Sequence, residues 1–200
     1  MAAELDLTVV TRPDDAARSR PTGLIGGIEK REIRIVPADP AWPGRFEAER
    51  DRIRTALSAR ALRIDHVGST SVPGLAAKPI VDIDLSVADV EDEDDYLPAL
   101  LDAGYVLRVR EPGHRLVRTP ELDVQVHVCP TGSDWERRHL LFRDRLRDDD
   151  ADRRLYQDLK LRLAQQDWPD MNAYSDAKGP LIAEILVRAE EWAAATGWRP

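Results

Sequence analysis

The sequence contains a single cysteine, Cys129, in 200 residues. One thiol excludes an internal disulfide and any zinc site built from several cysteine ligands. No apolar run approaches the roughly 20 residues that a membrane-spanning helix requires. The first residues include Glu4 and Asp6 and lack the basic-then-apolar pattern of a secretory signal. We therefore expect a cytoplasmic protein without a membrane partner.

A surplus of positive charge is also missing, because 29 Lys and Arg face 37 Asp and Glu, giving a net charge of −8. Binding along a nucleic-acid backbone needs a basic face, so we expect no large nucleic-acid surface. A local nucleotide site is still compatible with this charge, since a metal ion can offset it there. The length and the 42% hydrophobic content predict one globular domain with a sizeable core.

The hydrophobic pattern divides the chain in two. Residues 1–30 show no sustained periodicity and predict a flexible or loosely packed arm, whereas residues 31–200 predict one domain. Alternating runs predict strands over 33–36, 62–67, 80–87, 105–109, 114–118 and 122–128. Helices are predicted from Trp42-Pro43, after the acidic cluster 89–95, from 134 with a break at 148–150, and over 176–195. The order predicts an α/β fold, a small mixed sheet flanked by helices with a helical C-terminal part.

The segment 66–86 carries the clearest chemical motif. Gly68-Ser69 follows a predicted strand, and Asp82 and Asp84 stand two residues apart in the next one. Side chains at i and i+2 of a strand point to the same face, which places the two carboxylates side by side. Paired carboxylates suit Mg²⁺, which prefers hard oxygen ligands. A glycine-serine turn can hold phosphate oxygens with its N–H groups and hydroxyl.

This arrangement resembles the nucleotidyltransferase superfamily, in which the serine contacts phosphate and the aspartates ligate Mg²⁺. Residues 66–83 are similar, almost residue for residue, to the longest motif of the GrpB family of that fold. The similarity spans about 33–193 and has three further anchors: Val126-His127-Val128, the run 142–147 with Tyr156 and Leu159-Lys160, and Tyr174 with Lys178 and Ile182. It implies a nucleotidyltransferase-like fold. Related domains also occur fused to dephospho-coenzyme A kinase.

The resemblance implies binding of a nucleoside triphosphate with Mg²⁺ (or Mn²⁺) and transfer of a nucleotidyl group to an unknown small-molecule or protein acceptor. Gly68 and Ser69 would hold phosphates, and Asp82 and Asp84 the metal. Lys78 would either meet the triphosphate or cap its loop. Arg143, Lys160 and Lys178 become candidate anion-binding groups.

The superfamily pattern asks for a third carboxylate on a neighbouring strand. Asp123, Gln125 and His127 share one face of the predicted strand 122–128, so Asp123 or His127 would orient or deprotonate the acceptor. If no acid faces the aspartate pair, a non-catalytic ligand-binding or accessory module is favoured instead. A phosphotransferase or hydrolase using the same metal site is a third possibility. His66 is either a site residue or a structural anchor.

Ser69 is not predicted to be a nucleophile. No histidine and acid lie near it in the sequence to activate its hydroxyl, and phosphate binding explains it more simply. His114 and His139 receive no functional assignment.

Overall fold

The computed structural model describes residues 23–200, so most of the predicted arm, residues 1–22, lies outside the described range. The strands form one six-stranded sheet in the order β1-β4-β5-β6-β3-β2. Only β3 and β6 run parallel, and every other neighbouring pair in this sheet is antiparallel. The strands are β1 (Gly23–Leu24), β2 (Arg63–Val67), β3 (Val81–Val87), β4 (Val106–Glu111), β5 (His114–Arg118) and β6 (Val124–Pro130).

The helices lie on both faces of this sheet, which confirms the predicted mixed α/β fold. They are α1 (Trp42–Leu57), α2 (Glu93–Asp102), α3 (Asp134–Asp148), α4 (Asp150–Ala164), α5 (Met171–Asp176) and α6 (Gly179–Thr196). The predicted break between α3 and α4 is confirmed, because the Asp149 side chain accepts the backbone N–H of Asp152 and caps α4. Among residues 23–200, none of the helices combines the length and apolar character needed to cross a bilayer.

The predicted strand 33–36 is wrong. Only an isolated bridge joins Val36 to Ala77, with the two backbone hydrogen bonds at 2.9 and 3.0 Å. Residues 33–35 have no strand partner, so the alternating pattern is not matched by a hydrogen-bonded ladder.

The main core lies on one face of the sheet. Ile53 and Leu57 of α1 and Leu100 of α2 pack against Ile83 of β3 and Val126 of β6, all fully buried. A second cluster joins Leu146, Tyr156 and Ile185 of the C-terminal helices to Val72 and Leu75 of the loop after β2. The C-terminal helices cover the opposite face of the sheet, and polar side chains of β3 and β6 lie on that face.

The described end of the predicted arm follows the outer strands. Ile25 donates its N–H to the Arg108 carbonyl at 2.8 Å. The Glu29 carboxylate accepts two guanidinium hydrogen bonds from Arg118, at 2.9 and 2.6 Å. Residues 23–30 thus contact β4 and β5 directly.

The acidic cluster before α2 supplies a buried ion pair as well as a helix start. Glu93 is 2% exposed and accepts Arg115 at 2.5 Å and Arg110 at 2.6 Å. Removing one partner of such a pair leaves buried charge uncompensated. We expect Glu93→Ala to lower the free energy of unfolding in urea by about 3 to 5 kcal/mol.

Glu91→Ala is the matched control. Glu91 also pairs with Arg115, at 2.7 Å, but its side chain is 55% exposed, and exposed pairs contribute at most about 1 kcal/mol. Equal losses in the two variants would contradict the assignment of the buried pair to Glu93.

Candidate functional site

The register of the parallel strands decides which side chains stand beside the two aspartates. Asp82 of β3 is paired with Gln125 of β6, and Asp84 is paired with His127. Side chains at laterally paired positions point to the same face of a sheet. Two carboxylates, one amide and one imidazole therefore share the face that the C-terminal helices cover.

Asp123 lies one residue before β6 and is paired with neither aspartate. Its carbonyl accepts the Val81 N–H at 2.8 Å, and its carboxylate accepts the Thr119 hydroxyl at 2.7 Å. It does not line the cavity described next. This placement favours His127 over Asp123 as the group that would meet an acceptor.

A cavity of about 660 Å³ opens between this face of the sheet and the C-terminal helices. Seven predicted site residues line it: Gly68, Ser69, Lys78, Asp82, His127, Lys160 and Lys178. Among its other lining residues are Gln125, Trp135, Arg138, His139, Phe142, Tyr156 and Tyr174. The motif residues and the helical anchors of the sequence thus come together around one space.

Arg143 does not line this cavity. Its guanidinium donates to the His66 carbonyl at 3.2 Å and to the Asp144 carboxylate at 2.7 Å, which ties α3 to β2. Arg138, five residues earlier in α3, lines the cavity instead. The arginine that faces the site therefore differs from the one predicted.

Gly68 directly follows β2, at the point where the Gly68-Ser69 turn lies against Asp82 of β3. Its φ is +65°, and a Cβ built there would meet the Asp82 carboxylate oxygen and lie 2.9 Å from the Asp82 Cβ. Both the backbone conformation and the contact require a residue without a side chain. Gly68 thereby lets the Gly68-Ser69 turn lie directly against Asp82.

The two aspartates have different surroundings. Asp84 has a side chain that is 1% exposed, and both its oxygens accept from His139 Nδ1, at 2.9 and 3.0 Å. Asp82 is 27% exposed, with His127 Nε2 at 3.9 Å from its Oδ1. Asp82 is therefore the carboxylate open to a ligand, and Asp84 is buried and already bonded.

His114 and His139 also belong to this region, although no sequence pattern singled them out. His114 Nε2 lies 3.1 Å from His127 Nδ1, and the His114 ring stacks on Trp135 with centroids 4.0 Å apart. Burial, followed by the neighbouring His127 and His139, lowers the pKa of His114 to about 3. Burial also opposes the charge on His127, but Asp82 and Asp84 outweigh it and raise the pKa of that imidazole.

Three lysines form the other end of the cavity. The amino groups of Lys78 and Lys178 lie 5.1 and 4.8 Å from the centre of the Tyr174 ring. Lys160 lies 4.8 Å from the centre of the Tyr156 ring. Among residues 23–200, none of these three amino groups forms a salt bridge with a carboxylate. Three amino groups therefore lie at one end of the cavity, each close to an aromatic ring that can stabilise its positive charge.

Burial is the main cause that lowers the pKa values of these lysines, and repulsion between their charges adds to it for Lys78 and Lys160. Burial, then the charge of Lys178, lowers the pKa of Lys78 to about 8. The same two causes lower the pKa of Lys160 to about 7. Burial lowers the pKa of Lys178 as well, and Asp82 only partly opposes this. A bound anion would relieve both the burial cost and the mutual repulsion.

His66 is a structural anchor outside the cavity. Thr70 donates its hydroxyl to the Ile80 carbonyl at 3.1 Å and lies 3.0 Å from His66 Nε2. The His66 ring stacks on Phe46 with centroids 4.9 Å apart. Burial is the main reason that the pKa of His66 falls to about 4, so a neutral ring braces the turn after β2.

Fold and site together define a small α/β protein with a cationic, aromatic cavity between its sheet and its C-terminal helices. Residues 32–188 match the GrpB protein family. The chain belongs to the GrpB family, which confirms the resemblance found in its motifs.

Individual relatives agree with this assignment. A UPF0157 protein of Streptomyces coelicolor is 55% identical over 166 residues, covering 83% of this chain and 89% of that protein. The crystal structure of the conserved protein GrpB from Enterococcus faecalis aligns with a TM-score of 0.70 at 32% identity, over 80% of this chain and 99% of that one. A dephospho-CoA kinase of Mycolicibacterium paratuberculosis is 33% identical over 202 residues, covering 86% of this chain but 50% of the kinase. The chain therefore corresponds to about half of that kinase polypeptide.

We expect Gly68→Ala to destabilise the protein more than a positive φ alone explains. Gly113 is the matched control, because its φ is +75° but nothing lies within 4 Å of a Cβ built there. Both variants strain the backbone by a similar amount, and only Gly68→Ala also displaces Asp82. Urea unfolding should show a loss at least about 1 kcal/mol larger for Gly68→Ala. Equal losses would mean that the contact with Asp82 is unimportant.

Proposed function

We propose that the cavity binds a nucleoside triphosphate, with the phosphates among Lys78, Lys160 and Lys178. The observation that carries this proposal is the set of three lysines that, within residues 23–200, form no salt bridge with a carboxylate. Lys160 is buried and Lys78 and Lys178 are half-buried. Cations so placed are normally paired, and Asp82 is an acidic residue that lines the same cavity. A polyphosphate supplies the missing negative charge.

The size and lining of the cavity support a ligand of this class. Its volume of about 660 Å³ falls in the range of roughly 300–1,000 Å³ typical of small-molecule sites. Phe142 and Trp135 add flat apolar surfaces of the kind on which a nucleobase stacks. Ser69 adds a hydroxyl at the turn next to the lysines.

The carboxylates do not form a complete metal centre. Within residues 23–200, no group of three or more His, Cys, Asp or Glu side chains is placed to hold an ion. Asp82 fits Mg²⁺ or Mn²⁺ that takes most of its oxygen ligands from phosphate and water, whereas Asp84 would join it only by giving up its bonds to His139. Such an ion would neutralise phosphate charge when bound. Metal binding is therefore proposed only together with the nucleotide.

Nucleotidyl transfer to a hydroxyl of an unknown small-molecule or protein acceptor is the reaction we propose for this site. His127 lines the cavity beside Asp82 and is the side chain placed to contact that hydroxyl. The lysines would position the phosphates and stabilise their charge.

A non-catalytic accessory module is the second candidate function, and one observation favours it. Gln125 stands beside Asp82, where an amide cannot take up the proton of an acceptor. The match to half of a protein named dephospho-CoA kinase supports an accessory role next to another domain. In that case the cavity would bind the nucleotide without turnover.

A thermal-shift series with the four nucleoside triphosphates, with and without Mg²⁺, tests nucleotide binding. A ligand at 100 times its Kd stabilises by about 2.7 kcal/mol, which raises Tm by roughly 5–10 °C in a domain of this size. Lys78→Met with Lys178→Met should abolish the shift. The control is Lys30→Met, at a residue that pairs with Asp167 on the surface and should leave the shift unchanged.

Asp82→Asn should remove only the part of the shift that depends on Mg²⁺. No shift with any triphosphate would overturn the proposal. A shift that survives loss of both lysines would place the phosphates elsewhere.

The affinity should depend on pH through the lysines. Their pKa values are lowered in the free cavity, to about 8 for Lys78 and about 7 for Lys160, and a bound anion raises them, so binding takes up protons. Between about pH 7.5 and 9.5, above the titration of the terminal phosphate, Kd should rise by up to about tenfold per pH unit for each proton taken up. Calorimetric titration of the wild type and Lys160→Arg checks this, since arginine keeps its charge and should flatten the profile. A wild-type Kd independent of pH would contradict it.

A further inference from the structure

Lys160 and Ser69 form a contact that phosphate binding alone does not require. Lys160 of α4 lies 91 positions from Ser69 in the sequence, and its Nζ is 3.0 Å from the Ser69 Oγ. The same amino group donates to the Ala76 carbonyl at 2.5 Å. One position around the Lys160 nitrogen is therefore occupied by the Ala76 carbonyl, and the Ser69 hydroxyl lies at another. The structure thus supplies the neighbour for Ser69 that the sequence lacked.

The surroundings of Lys160 favour its neutral form. The residue is 2% exposed and forms no salt bridge with any carboxylate in residues 23–200. The charged groups that act on it are Lys178 and Lys78, which repel its charge, and Asp82, which attracts it. In the free cavity the pKa of Lys160 is lowered to about 7, and a bound phosphate raises it, so the neutral amine forms in the complex as the pH rises above that higher value. A neutral amine at hydrogen-bond distance from a hydroxyl can act as its general base.

Tyr156 completes the group. Its hydroxyl interacts with Ser69, and burial raises its pKa to about 12. It therefore stays protonated at neutral pH. Ser69 thus lies between the Lys160 amine and the Tyr156 hydroxyl, at the wall of the cavity that contains the lysines.

We propose that Ser69 is a nucleophile, activated by Lys160, that takes up a phosphoryl group from a phosphate ester or anhydride held by the cavity lysines. The Ser69 Oγ forms a bond to phosphorus while the bond from phosphorus to the leaving oxygen breaks. The Ser69 proton passes to the Lys160 Nζ and then to the leaving oxygen. The products are phosphoserine at position 69 and an alcohol or a shortened phosphate. Lys78 and Lys178 stabilise the charge on the non-bridging oxygens.

This inference rests on the proposed function, because it needs a phosphate ligand in the cavity. It differs in the role of Ser69, which changes from a phosphate-binding hydroxyl to the attacking group. It also differs in the role of Lys160, which must lose a proton during the step rather than remain a fixed positive charge. Covalent labelling separates these roles.

The full chain is incubated with acetyl phosphate, p-nitrophenyl phosphate or ATP and then stopped in acid, where phosphoserine is stable and phosphohistidine is not. We expect a mass increase of about 80 Da for one phosphoryl group, mapped by peptide fragmentation to Ser69. Ser69→Ala should not be labelled. At saturating donor, the labelling rate should rise with pH through the pKa of Lys160, because the neutral amine is the active form.

Lys160→Arg is the decisive variant, because it keeps the charge and the donors but cannot act as a base. Its labelling rate should fall by at least about 100-fold. Lys30→Arg is the matched control, since it makes the same change on a surface lysine that pairs with Asp167 outside the cavity, and its rate should equal that of wild type.

Four outcomes would overturn the inference. If Ser69 is not labelled but the protein still shows a triphosphate-dependent Tm shift, Ser69 is not the nucleophile and nucleotide binding stands. If neither the label nor the Tm shift is observed, both proposals are overturned. A label on Thr70 or Ser71, or undiminished labelling of Lys160→Arg, also overturns the inference. If Ser69→Ala fails to fold, as judged by circular dichroism, peptide mapping of the wild type still decides the position.

Discussion

The hydrogen-bonded register between β3 and β6 sets the chemistry on the covered face of the sheet. Asp82 and Asp84 share that face because their spacing matches the period of a strand, but their neighbours follow from the parallel pairing that joins Val81 to Val124. A shift of one residue would turn β6 over and send its polar side chains into the apolar core. The buried valines of β6 prevent that shift, so the core on one face fixes the polar set on the other.

On the same face, acidic and basic side chains lie at different ends of the cavity. Carboxylates and imidazoles cluster where β3 meets α3, and lysines cluster where the loop after β2 meets α4 and α6. At the first end, Asp84 has a local partner in His139. At the second end, Lys160 contacts a hydroxyl, a carbonyl and an aromatic ring but forms no salt bridge with a carboxylate of residues 23–200. An anionic ligand gains the most binding free energy at the lysine end, because its charge there offsets the repulsion between the lysines, whereas elsewhere its burial would cost desolvation alone.

Much of the fold and the centre of the site could be predicted from the sequence. Gly68, Ser69, Asp82 and Asp84 lie in one short segment, so strand periodicity and turn chemistry were enough to bring them together. The anchors Lys160 and Lys178 came from the family resemblance, because helical lysines carry no local sign of facing a cavity. The strand predicted at 33–36 failed because alternation alone does not supply a pairing partner for more than one residue.

The remaining site residues depend on packing that no local pattern reports. His139 reaches Asp84 across 55 positions, and His114 reaches His127 only through the pairing of β5 with β6. The rotation of α3 decides that Arg138 faces the cavity, while Arg143 bonds to the carbonyl of His66 in β2.

The sequence alone left open which polar residue stands beside the aspartate pair, because Asp123, Gln125 and His127 share one face by strand periodicity. Only the register between β3 and β6 distinguishes them. That register puts an amide beside the open carboxylate, and His127 is the titratable side chain beside it. At the opposite end of the cavity, the Ser69 hydroxyl has the Lys160 amino group beside it. The two ends therefore differ in chemistry, and a phosphate bound among the lysines would lie at the end that contains Ser69.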